Sequence, residues 1–348
     1  MSQGGDSSTG QGSNTVLDAQ ATGRLQAWLE RQVPGCQGPM RLERIHGGQS
    51  NPTFFVYVGD QALVLRKQPP GELLPSAHAV DREFRVQQAL ADTGVPVPRM
   101  RAFCDDRAVI GTPFYVMDKL DGRVLSSQAI PELPPAQRRA CWLAMAETLA
   151  RLHAVDWAAL GLADYGKPGN FFARQIGRWT RQWQASRTRE DANIERLITW
   201  LPAHIPPGDE TTIVHGDFRL GNLMFHPTEP RVIAVLDWEL STLGHPLADA
   251  AYSAMGFHTA PSAFDGLKGL DLTALGLPTQ AEYLAHYQAS SGRTEAVSNF
   301  HLAFSLFRFA VILEGISARA QSGNAAAEDA VAVGRQSAAF AQAAVELI

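Results

Sequence analysis

The sequence predicts an α+β fold of two lobes, a small lobe built on an antiparallel sheet and a larger, mainly helical one. Three observations carry that expectation. Before residue 118 the chain is a run of short β-rich segments, two of them joined by Gly59-Asp60, a tight-hairpin signal. After Pro135 it changes to long segments of helical apolar spacing. Within that half sits one island of short strands, from Thr211 to Leu236, that carries a cluster of polar side chains. The boundaries follow: a Gly/Ser/Gln-rich tail over 1–14, expected to be disordered, a small lobe over 15–118 and a large lobe over 119–348.

The small lobe opens with a helix over Val16 to Val33. Arg41 to Ile45 reads as a strand, and His46-Gly47-Gly48-Gln49-Ser50-Asn51 as a glycine-rich turn. Thr53 to Val58 and Gln61 to Arg66 are the strands of the hairpin. A glycine turn between antiparallel strands can offer backbone N–H groups to phosphates without side-chain bulk. Gly47, Gly48, Ser50 and Asn51 are candidates for that role, although such a pair is more often only a turn. No Gly-Lys-Ser/Thr follows, so this is not a Walker A loop, and it lacks a Rossmann fingerprint. The second hairpin strand ends in Arg66-Lys67, whose side chains leave opposite faces. A helix is expected over Ala77 to Thr93, with Asp81-Arg82-Glu83 in its first turns. Phe114 to Gly122 reads as a strand passing into a linker.

In the large lobe, Ala136 to Ala154 is an amphipathic helix, and His153 at its end is expected to pack rather than react. Phe171 to Ser186 carries Phe172, Ile176, Trp179 and Trp183 at i, i+4, i+7 and i+11, a core stripe. Its other faces and the residues after it carry Arg174, Arg178, Arg181, Arg187 and Arg189. The plain reading is a solvated charged face; the alternative is a site for an anionic substrate handle. Gly244 to Asp249 holds Pro246, suited to the first turn of a helix. Beyond Pro278 three helices are expected, at about 279–290, 294–318 and 325–347.

The chemistry lies in His215-Gly216-Asp217-Phe218-Arg219-Leu220-Gly221-Asn222, followed by Leu236-Asp237-Trp238-Glu239. Together they give H-x-D, an Asn five residues after the Asp, and a second Asp fifteen residues after the Asn. Thr211 to Val214 is a β-branched strand running into the first motif, Leu223 to Phe225 a short strand leaving it, and Val232 to Leu236 an apolar strand delivering Asp237. Kinases need such a set: one carboxylate faces the hydroxyl to be phosphorylated, while one amide and one carboxylate hold the metal on the nucleotide phosphates. H-x-D-x4-N alone arises by chance in roughly one chain in a hundred of this length. A metal hydrolase would need a second His or carboxylate at ligand spacing, and none is evident.

On these motifs the chain resembles the aminoglycoside phosphotransferase and choline kinase branch of the protein-kinase-like superfamily, over about residues 40 to 340. More narrowly it resembles the kinase-like domain that some eukaryotic proteins carry ahead of an acyl-CoA dehydrogenase. His215-Gly216-Asp217 in place of His-Arg-Asp, and Asp237-Trp238-Glu239 in place of Asp-Phe-Gly, point to the small-molecule branch. The resemblance implies a two-lobe kinase-like fold using ATP and Mg²⁺. Asp217 would take the proton of the acceptor hydroxyl, and Asn222 and Asp237 would bind Mg²⁺. Arg66 would stand in the usual lysine position on the phosphates with Glu83 as its tether. The linker residues Met117, Asp118, Lys119 and Leu120 would meet adenine, and Asp249 would brace the catalytic loop.

Composition sets the bounds. A chain of 348 residues with 45% hydrophobic residues is long enough for two lobes. A net charge of −5 gives no support for nucleic-acid or anionic-membrane partners. Cys36, Cys104 and Cys141 have no metal-ligand spacing and fit a reducing, cytoplasmic setting. The apolar stretch Ala303 to Leu313 is broken by Arg308 and too short to span a bilayer. The expected partner is a small molecule bearing a hydroxyl. Five arginines and no carboxylate between Phe171 and Arg189, and only Glu328, Asp329 and Glu346 after Ala320, favour a hydroxyacyl-CoA or hydroxy acid over an aminoglycoside or choline. A nucleotide-binding module without catalysis ranks below these. A dehydrogenase is disfavoured, since no flavin fingerprint is present.

Overall fold

Residues 17–45, 51–71, 78–321 and 330–348 are described by a computed structural model of the chain. They divide into two units, one reaching Gln88 and resuming over Pro98–Leu120, the other comprising Ala89–Val97 and Asp121–Ile348. The expected tail over 1–14 and the turn residues Gly47, Gly48 and Ser50 lie outside the described residues.

In the first unit, helix α1 (Ala19–Gln32) is capped by Asp18, whose carboxylate accepts from the Ala21 N–H at 2.7 Å. Strands β1 (Met40–Arg44), β2 (Thr53–Val58), β3 (Gln61–Lys67), β4 (Met100–Cys104) and β5 (Phe114–Asp118) form one antiparallel sheet in the order β1-β2-β3-β5-β4. Alternation along β2 buries Phe54, Val56 and Val58, and α1 covers that face with Leu25, Trp28 and Leu29. The hairpin register pairs Val58 with Gln61, leaving Gly59-Asp60 as the turn. Gly59 has φ +55, and a Cβ there would lie 2.5 Å from the Gln37 carbonyl oxygen. Helix α2 (Val80–Leu90), whose last two residues count with the second unit, carries Glu83 in its first turn. A single turn, α3 (Arg107–Ile110), completes the unit.

In the second unit, β6 (Arg123–Val124), β8 (Leu223–Phe225) and β9 (Val232–Val235) form a three-stranded sheet, and β7 (Thr212–Val214) pairs with β10 (Thr242–Gly244). The helices are α4 (Pro135–His153), α5 (Phe171–Ser186), α6 (Ala192–Ala203), α7 (Pro246–Ala254), α8 (Leu272–Leu275), α9 (Gln280–Ser291), α10 (Asn299–Gln321), α11 (Ala330–Arg335) and α12 (Ser337–Val345). The core stripe of α5 is borne out: Phe172, Ile176 and Trp183 are buried against Phe304, Phe307 and Phe340, with Trp179 partly buried beside them. Helix α10, at 23 residues, is long and apolar enough to cross a bilayer by length and composition, beyond the short stretch read from the sequence. Its apolar window is 83% buried within the unit, as in a core helix. The single helix expected over 325–347 is instead two, α11 and α12, interrupted at Gln336, with 325–329 outside the described residues. Strands β6 and β10 have two and three residues, too few for a period-two pattern to register in a sequence.

Candidate active site

Buried strand β7 leads into the loop His215–Asn222. Gly216 takes φ +84, and a Cβ there would stand 2.7 Å from the Leu240 carbonyl oxygen. The middle position of His-Gly-Asp is therefore closed to a side chain. Helix α7, started by Pro246, clamps the loop from behind. Asp249 accepts from the His215 N–H at 2.5 Å on one carboxylate oxygen and from the Gly216 N–H at 2.9 Å on the other. Burial alone would raise the Asp249 carboxyl, but the His153 ring, the His215 charge and the His215 N–H outweigh it and hold the group below its ordinary value. His153 Nε2 stands 3.6 Å from Asp249 Oδ2, an ion-pair distance too long for a hydrogen bond, and its Nδ1 meets the Tyr287 hydroxyl at 2.7 Å.

Asp217 is held on both oxygens. Tyr252 O–H donates to Oδ1 at 2.5 Å, Asn222 Nδ2 donates to Oδ2 at 2.7 Å, and Arg219 Nε lies 3.3 Å from Oδ1. Tyr252 was not marked by the sequence reading. The available signal was its place three residues after Asp249, which puts both on one face of α7. Burial first, then the Asp217 charge, raises the Tyr252 hydroxyl well above its ordinary value, so it remains a donor at any physiological pH. A hydrogen bond to a charged group contributes about 1.5 kcal/mol or more. Tyr252→Phe is accordingly expected to lower kcat about tenfold while the KM for ATP stays constant, measured by steady-state kinetics. An unchanged kcat would remove Tyr252 from the positioning of Asp217.

Asn222 and Asp237 leave the same end of the β8–β9 pair, whose register sets Leu223 against Val235. The Leu236 N–H donates to the Asn222 carbonyl at 2.8 Å, and His215 Nε2 meets the Leu236 carbonyl at 2.9 Å. Asp237 follows with φ +62 and ψ +63, a left-handed conformation uncommon for a residue with a side chain and typical of strained functional positions. Asn222 spends its amide hydrogens on Asp217 and keeps its oxygen for another partner. An amide oxygen and a carboxylate are hard donors that suit Mg²⁺, which draws its remaining ligands from phosphates and water. The described residues contain no cluster of three His, Cys, Asp or Glu that could hold a metal by themselves.

In the first unit, Arg66 Nε lies 2.7 Å from Glu83 Oε2. Glu83, buried, also accepts from Asn51 Nδ2 at 2.7 Å and from the Tyr115 hydroxyl at 3.0 Å. Asn51 Oδ1 meets His78 Nδ1 at 2.9 Å. The pairing partner of Glu83 is thus Arg66; Lys67 is buried on the other face of β3, where desolvation lowers its pKa. Of the linker residues, Met117 is paired with Val64 in the sheet. The Asp118 N–H donates to Arg99 and the Lys119 N–H to Ala62, while Asp118 accepts from Arg101 at 2.5 Å. Leu120 carries no backbone hydrogen bond among the described residues.

The second unit also holds a cavity of about 310 Å³, lined by Trp142, Met145, Met255 and Phe340 and by Tyr252 and Arg219, both of which contact Asp217. Among the described residues the one carboxylate lining it, Asp265, accepts from the Gln128 N–H at 2.7 Å. The arginines after Phe171 prove unequal. Arg189 pairs with Asp191 and with Glu314, and Arg187 lies 3.8 Å from Glu195. Arg174 donates to the Lys167 carbonyl at 2.5 Å.

The phosphotransferase enzyme family profile matches residues 41–296. Acyl-CoA dehydrogenase family member 10 of Mus musculus is 47% identical over 309 residues, which span 88% of this chain and 29% of that protein. The chain thus covers less than a third of that relative's length. The crystal structure of a candidate aminoglycoside phosphotransferase from Ralstonia eutropha JMP134 is 47% identical, with a TM-score of 0.87 over 95% of this chain and 98% of that one. A thermostable variant of aminoglycoside phosphotransferase APH(4)-Ia, in ternary complex with ADP and hygromycin B, is 16% identical with a TM-score of 0.59 over 91% of this chain and 97% of that one, a likeness of fold alone. With about three quarters of its length matched by the profile, this chain belongs to the phosphotransferase enzyme family and has its protein-kinase-like fold.

Proposed function

We propose that this chain transfers the γ-phosphoryl group of ATP to a hydroxyl of an acyl-type small molecule, a hydroxyacyl-CoA or a hydroxy acid. The observation that carries the reading is the Asp217 carboxylate, contacted by Tyr252 and Arg219 where both line a cavity walled by Trp142, Met145, Met255 and Phe340. The Asp217 carboxylate takes the proton of the acceptor hydroxyl. The acceptor oxygen forms a bond to the γ-phosphorus as the bond to the β-bridging oxygen breaks, and ADP leaves. Asn222 and Asp237 would hold Mg²⁺, which supplies charge neutralisation at the phosphates. Arg66, steadied by Glu83, supplies the cation for the nucleotide. Catalysis of this kind is positioning and electrostatics more than covalent chemistry. The phosphotransferase family match and the kinase-type spacing of Asp217, Asn222 and Asp237 support the choice of nucleotide.

An aminoglycoside is a polycation and calls for several unpaired carboxylates. Among the described residues the cavity offers one carboxylate, Asp265, whose Oδ2 accepts from the Gln128 N–H. The acyl-CoA dehydrogenase name of the mouse relative points the same way. The expected result is ATP turnover stimulated by hydroxyacyl thioesters or hydroxy acids more than by kanamycin or choline, with an apparent KM that rises with salt as the arginine field is screened. A side-by-side assay with mass-spectrometric product detection tests it. Robust kanamycin phosphorylation, with no product from hydroxyacyl-CoAs of several chain lengths, would reverse the ranking.

A further inference from the structure

Two arginines of the second unit stand apart from the paired ones. Arg178 of α5 and Arg308 of α10 sit about one indole ring, their guanidinium carbons 5.2 Å and 5.7 Å from the Trp179 centroid. Among the described residues neither makes an ion pair with a carboxylate, although Arg187 and Arg189 nearby do. Arg308 is the one charged residue between Asn299 and Leu313 of α10, and its neighbours Phe307 and Phe309 are buried. It is fixed by donating to the Gly216 carbonyl at 2.7 Å and by lying 5.3 Å from the Tyr252 ring centroid. It therefore touches the residue before Asp217 and the side chain that holds Asp217. Trp179 Nε1–H, on the shared ring, is buried without a hydrogen-bond partner among the described residues.

We propose that Arg178 and Arg308, set about Trp179, form an anion-binding subsite that receives the charged end of the acceptor, a carboxylate or a phosphate. This deepens the acyl-acceptor reading and rests on it for the identity of the ligand. The local chemistry is one-sided, two guanidinium groups and an indole N–H, all donors. Two like charges set about one ring repel, a cost that an oxyanion converts into attraction. The guanidinium fork matches the paired oxygens of a carboxylate or phosphate. Arg178 is exposed on α5, and desolvation by the neighbouring protein, then the Arg308 charge, lowers its pKa, in keeping with a cation that gains from a counter-charge. A purely structural role, bracing Gly216, accounts for Arg308, and a solvated helix face accounts for Arg178, which is exposed. Anion binding that depends on Arg178 separates the subsite from both, so Arg178 is the residue to change.

The test is calorimetric titration of the full chain and its Arg178→Gln variant with four probes: 12-hydroxydodecanoate, its methyl ester, coenzyme A and pantetheine. Wild type should bind at least one anionic probe more tightly than its neutral counterpart. Preference for the free acid identifies a carboxylate subsite, and preference for coenzyme A a phosphate subsite. Arg178→Gln should weaken the preferred anion about tenfold and leave the neutral probes unchanged, and Arg178→Lys should fall between. Wild-type affinity for the anions in Arg178→Gln, or no anionic preference in wild type, overturns the subsite. The two readings fail separately. Hydroxyacyl phosphorylation with the same KM in both proteins removes the subsite and keeps the function; Arg178-dependent anion binding without turnover of any hydroxy acceptor does the reverse.

Discussion

Asp217→Asn should cut phosphoryl transfer to an identified acceptor by two or more orders of magnitude, with nucleotide binding nearly unchanged. The substitution keeps the shape of the side chain and removes the group that can take a proton. Its structural cost is small but not zero. The carboxylate accepts on both oxygens, from Tyr252 and from Asn222, whereas an amide accepts on one and donates on the other. One of those donors loses its partner, worth about 1 kcal/mol or somewhat more. Melting temperature should therefore fall by a few degrees at most, and the ATP-induced stabilisation should persist. Product formation followed by mass spectrometry under saturating substrate is the measurement. Full activity in Asp217→Asn would mean that another group, or none, accepts the proton.

The catalytic loop was legible because its geometry is local. Strand β7, the one-turn helix at Leu220–Asn222 and the β8–β9 pair all lie within 25 residues, so spacing alone sets Asn222 near Asp237. Arg66 and Glu83 were legible by motif, one at the end of β3 and one in the first turn of α2. What the sequence hid was what comes from far along the chain. Tyr252 reaches Asp217 across 35 positions and Arg308 reaches Gly216 across 92. Neither separation leaves a periodic trace. Charge was the more misleading case. The segment from Phe171 to Arg189 has five arginines and no carboxylate, yet Asp191, Glu195 and Glu314 come back to neutralise two of them. Arg187 and Arg189, counted among the five toward an anionic acceptor, therefore face carboxylates of their own. The expected tail and most of the glycine turn fall outside the described residues, and there the sequence reading remains an expectation.

The fold should lose stability on mild acidification, starting near pH 6.5, because of two histidines that hold up α7 and α10. His245 caps α7, its Nδ1 accepting from the Leu247 N–H at 3.3 Å. His301 Nδ1 accepts from the Ser298 N–H at 3.0 Å, and its Nε2 is buried without a partner among the described residues. Their rings stack 5.9 Å apart. A protonated imidazole donates from both nitrogens, so it can serve neither contact, and two charges at that distance repel. Burial lowers His245 to about 4, the nearby His153 adding to the shift against Asp209, and lowers His301 to about 3, with the His245 charge adding to it. Both folded values lie below the ordinary 6.5, so below that pH the unfolded chain binds protons that the folded chain refuses. Stability is fully present above about pH 6.5 and falls as the pH drops, until the folded values are reached. At pH 5 each site costs about 2 kcal/mol relative to pH 7.5, together about 4 kcal/mol, a large share of a typical domain's total. Carboxylates remain ionised across most of that window, so histidines dominate it. Burial likewise lowers His153 and His258, which adds in the same direction. Because α7 carries Asp249 and Tyr252, the catalytic loop should loosen with it, and activity should fall before the far-ultraviolet circular dichroism does. Urea unfolding at pH 5, 6 and 7.5 measures the effect, and His245→Asn, a cap that does not titrate, should remove about half of the contribution of the pair. Equal stability at pH 5 and 7.5 in the wild-type chain would show that these rings are not held neutral by the fold.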